Sequence, residues 1–141
     1  MAKQDAQLEQ LGKCPLFAGV PEKQLRQIRD MAKEIPFSAG QELTGEGEDA
    51  GRFYLILDGE VDVTVHGQHR RTLGPGDTVG EYSLLDGGPR SATVVAKTPV
   101  RTLSLASWNF RPLLAEQPTL AEAILVELCR RLRETEAALT A

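Results

Sequence analysis

Phe53-Tyr54-Leu55-Ile56-Leu57-Asp58-Gly59-Glu60-Val61-Asp62-Val63-Thr64-Val65-His66-Gly67-Gln68-His69-Arg70-Arg71-Thr72-Leu73-Gly74-Pro75-Gly76 is the stretch that sets the architecture. The apolar run from Phe53 to Leu57 reads as a strand. Val61, Val63 and Val65 follow in strict alternation, the period of a half-buried strand, and Thr72 with Leu73 belong to a third. Gly59 parts the first run from the second, and Gly67, with His66 and His69 around it, reads as a hairpin turn.

Working outward, Gly40, Gly45, Gly47 and Gly51 punctuate the chain before this stretch, with β-type runs beginning at Ile35. Two more strands follow at 92–96 and 100–105, separated by Lys97-Thr98-Pro99. Short strands at such spacing, with no long helix between them, predict an antiparallel barrel or roll rather than a βαβ sheet. Residues 1–33 read as helical. Pro21 marks a helix start, Leu25, Ile28 and Met31 recur at three-residue steps with Leu8, Leu11, Leu16 and Phe17 beside them, and Lys23, Arg26, Arg29 and Lys33 point to solvent. After the strands Ser107 is a candidate N-cap, and a break is expected at Pro112 or Pro118. Leu120, Ile124, Leu128 and Leu132 then recur at four-residue steps on a long amphipathic helix, flanked by Leu125 and Cys129. The pattern leaves open whether that helix packs on the roll or on its copy from a second chain. The fold class is α+β: an antiparallel β-roll, jelly-roll-like (a double-stranded β-helix), flanked by N-terminal helices and a long C-terminal amphipathic helix. We expect one domain over residues 1–141, with helices at 1–34, the roll at 35–106 and helices at 107–141.

A length of 141 residues suits a single core, and 41% apolar with 26% charged residues is ordinary for a globular chain. The 13 Gly and 8 Pro are spread along it as turn formers rather than gathered into a linker. The net charge of −4 divides as about +2 for residues 1–33, −6 for 34–60, +2 for 61–111 and −2 for 112–141. No segment is basic enough to hold a polyanion, so direct DNA binding is not expected. The nearest candidate, Arg130, Arg131 and Arg133, reads as a solvated helix face where cations suit the dipole. Cys14 and Cys129 lack C-x-x-C spacing, the N-terminal stretch shows no apolar h-region and no apolar run approaches membrane-spanning length, so reduced, buried thiols in a cytoplasmic protein are expected.

Enzyme motifs are absent. His66 and His69 read as exposed turn residues rather than half a metal site, because no further Cys or His completes it. The stretches Gly45-Glu46-Gly47-Glu48-Asp49-Ala50-Gly51 and Gly74-Pro75-Gly76-Asp77-Thr78-Val79-Gly80 have the wrong spacing for a dinucleotide loop, and both read as β-turns. There is no Walker lysine motif, no G-x-S-x-G elbow and no His beside a candidate serine.

One stretch carries chemistry: Val79-Gly80-Glu81-Tyr82-Ser83-Leu84-Leu85-Asp86-Gly87-Gly88-Pro89-Arg90-Ser91-Ala92-Thr93. Gly80 permits close backbone approach, and residues 82–85 suffice for one helical turn whose free N–H groups suit an anion. Arg90 adds a planar fork for two phosphate oxygens. It is the only basic residue between 72 and 96, against Asp77, Glu81 and Asp86. That balance fits a singly charged phosphate and disfavours ATP. Glu81 opposes a phosphate but suits a sugar hydroxyl, so phosphodiester plus free ribose hydroxyl points to a cyclic nucleotide. The residues alone leave a second reading open, a surface ion pair in a glycine-rich loop.

Gly80-Glu81, Leu84-Leu85 and Pro89-Arg90-Ser91-Ala92-Thr93 closely resemble the phosphate-binding cassette of the cyclic nucleotide-binding domain family, which includes catabolite-activator-type regulators and protein kinase A regulatory subunits. Leu16-Phe17-Ala18-Gly19-Val20, Gly40, Gly59-Glu60-Val61 and Gly76-Asp77 extend the resemblance over roughly residues 14–139. The resemblance implies that Glu81 holds the ribose 2′-hydroxyl and Arg90 the cyclic phosphate. It also implies that backbone at Gly80, Tyr82 and Ser83 lines the pocket and that Ser91 and Ala92 complete the phosphate and base edges. By the same resemblance Thr135, in Arg130-Arg131-Leu132-Arg133-Glu134-Thr135, meets the base. Tyr82 stands where the family has an aliphatic residue and Ser83 where alanine is commoner. A hydroxyl at Ser91 serves either the phosphate of cAMP or the guanine of cGMP.

The expectation is therefore a cyclic nucleotide sensor that is not an enzyme and binds no metal, with cAMP preferred and cGMP possible. An unidentified protein partner would read its C-terminal helices, a homodimer through the last helix is possible, and no membrane is involved. Because the sequence stops at Ala141 we expect no effector domain behind the sensor. The alternative is a module of the same fold that mediates protein interaction or dimerisation without nucleotide.

Overall fold

The computed structural model describes residues 2–47 and 51–140. Its described residues form two compact units, one of residues up to Asp30 together with those from Pro112 onward, the other Met31–Arg111.

The second unit is the roll. Its strands are β1 (Lys33–Phe37), β2 (Glu42–Thr44), β3 (Arg52–Asp58), β4 (Val61–Val65), β5 (Gln68–Leu73), β6 (Thr78–Val79), β7 (Thr93–Ala96) and β8 (Val100–Ala106). They make two four-stranded sheets, ordered β1-β8-β3-β6 and β2-β7-β4-β5, with every pairing antiparallel. A core of Leu43, Tyr54, Ile56, Val61, Val63, Val79, Val94, Ala96 and Val100 is shared by strands of both sheets, and Phe37 meets Tyr54 edge to face at 5.5 Å between ring centroids. Phe53, Leu55, Leu103 and Leu105 are buried as well, so β3 and β8 bury alternate residues on both faces.

Register in the β4–β5 hairpin follows from its turn. Val65 pairs with Gln68, leaving His66 and Gly67 as a two-residue loop with φ of 52° and 77°. Two successive positive φ values give the turn whose twist matches the flanking strands. His66 is thus the turn residue expected, whereas His69 lies within β5 beside Asp62, at 3.2 Å. The roll opens at Lys33, two residues before the expected boundary, so Lys33 is an exposed strand residue rather than a helical one. In the Gly74–Gly80 stretch read as turn, Thr78 and Val79 form the short strand β6. Of the other such stretch, residues 48–50 lie outside the described residues.

The helical unit contains α1 (Ala2–Gly12), a 3-10 turn (Pro15–Phe17), α2 (Glu22–Met31) and α5 (Pro118–Thr140), and α4 (Ser107–Glu116) leads into it. Leu11, Leu16, Phe17, Ile28, Leu120 and Ile124 are its buried centre, where the 3-10 turn packs on α5. α4 runs through Pro112, and the helix break falls at Pro118. Ser107 is the first helical residue, its N–H donated to the Gly51 carbonyl at 2.8 Å. Two expectations are corrected. Arg29 lies largely covered, paired with Asp30 at 2.6 Å. Cys14 is buried but Cys129 is exposed, because burial on α5 fades after Ile124 and Glu127. Leu132, on the same stripe, is 60% exposed.

Candidate functional site

The loop from β6 to β7 wraps a short helix, α3 (Glu81–Asp86), that begins and ends on glycines in the left-handed region. Gly80 sits at φ 82°, and its carbonyl accepts the Leu84 N–H at 3.0 Å. Gly87 closes the turn at φ 70°, donating to Ser83 O at 2.9 Å. Gly80 serves a second purpose. A methyl group added there would strike Arg90 Nη1 and come within 2.7 Å of the Arg52 carbonyl, so the guanidinium lies where only a glycine leaves room.

Arg90 is 9% exposed. The segment carrying it is tied down by backbone: Arg90 O accepts the Gly47 N–H at 2.9 Å, and Ala92 O accepts the Thr44 hydroxyl at 3.0 Å. Beneath it, burial raises the Tyr54 phenol above its usual range against the opposing pull of Arg90 and Arg52. Glu81 is oriented from within the site, because the Thr78 hydroxyl donates to its Oε1 at 2.7 Å.

These residues border a cleft with two adjoining parts. A deep part of about 50 Å³ is lined by Thr44, Gly80, Ser83, Arg90, Ser91 and Ala92. A broader part of about 280 Å³ is lined by Glu81, Tyr82 and Asp86 and by Val63, Arg71 and Leu73 of the sheet. Gly80, Glu81, Tyr82, Ser83, Arg90, Ser91 and Ala92 all border this cleft. Thr135 belongs to α5 of the helical unit, exposed, with its hydroxyl donated to Arg131 O at 3.0 Å.

Sequence reasoning missed Thr78 and Arg71. Arg71 revises the charge count: the cleft is lined by two cations, Arg71 and Arg90, and two carboxylates, Glu81 and Asp86. Asp77 does not line it and instead accepts the Gly74 N–H at 2.9 Å. The signal for Arg71 was present. Two residues before Leu73 on β5, it shares Leu73's face, and β5 register sets it opposite Val63. The lining is neutral overall, with a buried fork at its deep end, and accommodates an anion of low charge joined to a polar, planar remainder. A singly charged cyclic phosphate on a ribose fits that donor set: Arg90 for the phosphate and Glu81 for a hydroxyl.

Comparison with known proteins agrees. Residues 34–117 match the family described as cyclic nucleotide-binding domain. A CRP-like cAMP-activated global transcriptional regulator of Mycobacterium tuberculosis is 31% identical over 132 residues, covering 90% of this chain and 59% of the regulator. The chain therefore spans less than two thirds of that relative's length. Among solved structures, the N-terminal domain of a transcriptional regulator from Streptomyces coelicolor A3(2) superposes with a TM-score of 0.83 at 34% identity, covering 92% of this chain and 96% of that one. The regulatory subunit of a cAMP-independent protein kinase A from Trypanosoma brucei superposes with a TM-score of 0.74 at 27% identity, over 92% of this chain and 47% of that one.

Proposed function

The chain belongs to the cyclic nucleotide-binding domain family, and on that premise we propose that it is a regulatory sensor without catalytic activity that binds cAMP in preference to cGMP. The observation that carries this reading is the buried Arg90 fork at the deep end of the cleft, against a glycine where any added side chain would crowd the guanidinium. Arg90 would grip the cyclic phosphate bidentately. Glu81, held by Thr78, would accept from the ribose 2′-hydroxyl, and Ser91 and Ala92 would border the phosphate and base. The preference for cAMP is supported by the M. tuberculosis relative, whose name describes it as cAMP-activated.

Binding would act by population shift: the nucleotide stabilises one arrangement of the C-terminal helices over another, changing what residues 107–139 present to a protein partner or to a second copy of the chain. We place the protein in the cytoplasm and assign it no membrane or direct DNA contact. Two of the three α5 arginines are already engaged by Glu127, and among the described residues no helix is long and apolar enough to cross a membrane.

Calorimetric titration with cAMP and cGMP tests this, with Arg90→Ala as control. Saturable binding that the substitution abolishes supports the sensor and ranks the ligands. A second reading, interaction or dimerisation without nucleotide, draws on the T. brucei relative, whose description is cAMP-independent. Absence of binding for either nucleotide at high micromolar concentration would select it.

A further inference from the structure

We propose that Tyr82 covers the base of the bound nucleotide, its ring stacking on the purine from the cassette helix itself. The inference rests on the cyclic-nucleotide reading of the cleft and adds to it the residue that holds the base.

The two parts of the cleft are chemically unlike. Arg90 lines only the deep part, whose volume of about 50 Å³ leaves no room for a purine beside a phosphate. A phosphate held there directs the base into the adjoining part of about 280 Å³. Val63 and Leu73 line that space as apolar sheet side chains, and so do Tyr82 and Asp86, one helical turn apart on α3 and so on one face of it.

Tyr82 is 62% exposed although it lines the cleft, a large aromatic surface left uncovered at the position where the family resemblance leads one to expect an aliphatic side chain. A planar base entering this space covers the ring and meets aliphatic side chains. Stacking of this kind is indifferent to which purine is present, so Tyr82 supplies affinity while Ser91 and Arg71 remain the groups able to read base edges. Because Tyr82 lies on the same short helix as Glu81 and Ser83, base, ribose and phosphate contacts all come from the roll unit.

The test compares wild type, Tyr82→Phe and Tyr82→Ala by calorimetry with two ligands, cAMP and the base-free ribose 3′,5′-cyclic phosphate. Tyr82→Phe, which keeps the ring, is expected to bind cAMP within about twofold of wild type, and Tyr82→Ala about tenfold or more weakly. Affinity for the base-free ligand stays the same in all three. An etheno-adenine analogue of cAMP supplies a second readout, its emission quenched on binding to wild type and Tyr82→Phe but not to Tyr82→Ala. Wild-type cAMP affinity in Tyr82→Ala, or an equal loss for both ligands, overturns the role of Tyr82 and leaves the nucleotide reading intact. Failure of the wild-type chain to bind cAMP or cGMP overturns both.

Discussion

Gly80 and Arg90 form one unit of the site. At φ 82° any side chain at position 80 pays the left-handed penalty of about 1–2 kcal/mol, and the added methyl must also displace Arg90 Nη1 or the Arg52 carbonyl. Gly80→Ala is therefore expected to lower stability by about 1–3 kcal/mol, read by thermal unfolding, and to lose nucleotide binding beyond what that destabilisation explains. A folded variant with unchanged affinity would show that the guanidinium need not sit where it does. Arg90 itself separates charge from geometry. Truncating a buried partner of a charge pair costs about 2–5 kcal/mol, so Arg90→Ala should weaken cAMP binding by well over tenfold. Arg90→Lys restores the charge without the planar fork and is expected to recover only a small part of the loss by calorimetry.

At the scale of elements, the strands legible in the sequence are those that carry an apolar run or an alternating pattern. β3, β4 and β8 span five to seven residues, and their apolar runs or alternation exceed what turns produce. β2 and β6, of three and two residues, carry no period and are strands only because β7 and β3 pair with them. The site divides the same way. The contiguous cassette was legible because its neighbours in sequence are neighbours in space, whereas Arg71 reaches the cleft from β5 through sheet register. The stripe on α5 continues in sequence to Leu132, while its burial within one chain fades after Ile124 and Glu127. Where burial fades, Glu127 joins Arg130 and Arg131 by hydrogen bonds of 2.8–2.9 Å, and the hydrogen bond from Arg130, with the one from Arg131, outweighs burial to hold its carboxyl at about 2 against an ordinary 4.5. A carboxylate lowered on folding contributes stability above its unfolded value, and that contribution is lost as pH falls through the folded one. The difference in thermal midpoint between wild type and Glu127→Gln should therefore be a few degrees at neutral pH and shrink between pH 4.5 and about 2. A difference independent of pH across that window would assign Glu127 a packing role only.

For the whole molecule, charge and apolar surface lead to a last expectation. The net charge of −4 gathers on residues 34–60, and two of the three α5 arginines, Arg130 and Arg131, pair with carboxylates of the same helix, so the last helix offers its surroundings apolar surface more than charge. Leu125, Val126, Leu132 and Leu139 are each at least 60% exposed along it, and an apolar strip of that kind marks an interaction surface. With 23 residues α5 is about 34 Å long, enough for a helix pair to approach the roughly 800 Å² per partner of a standard interface. The chain is expected to sediment as a dimer at micromolar concentration. Leu125→Glu with Leu132→Glu, placing carboxylates on that strip, should return it to monomer, read by sedimentation. A monomer in wild type would reserve the strip for a different protein partner. A dimer that survives both substitutions would move the interface to another face.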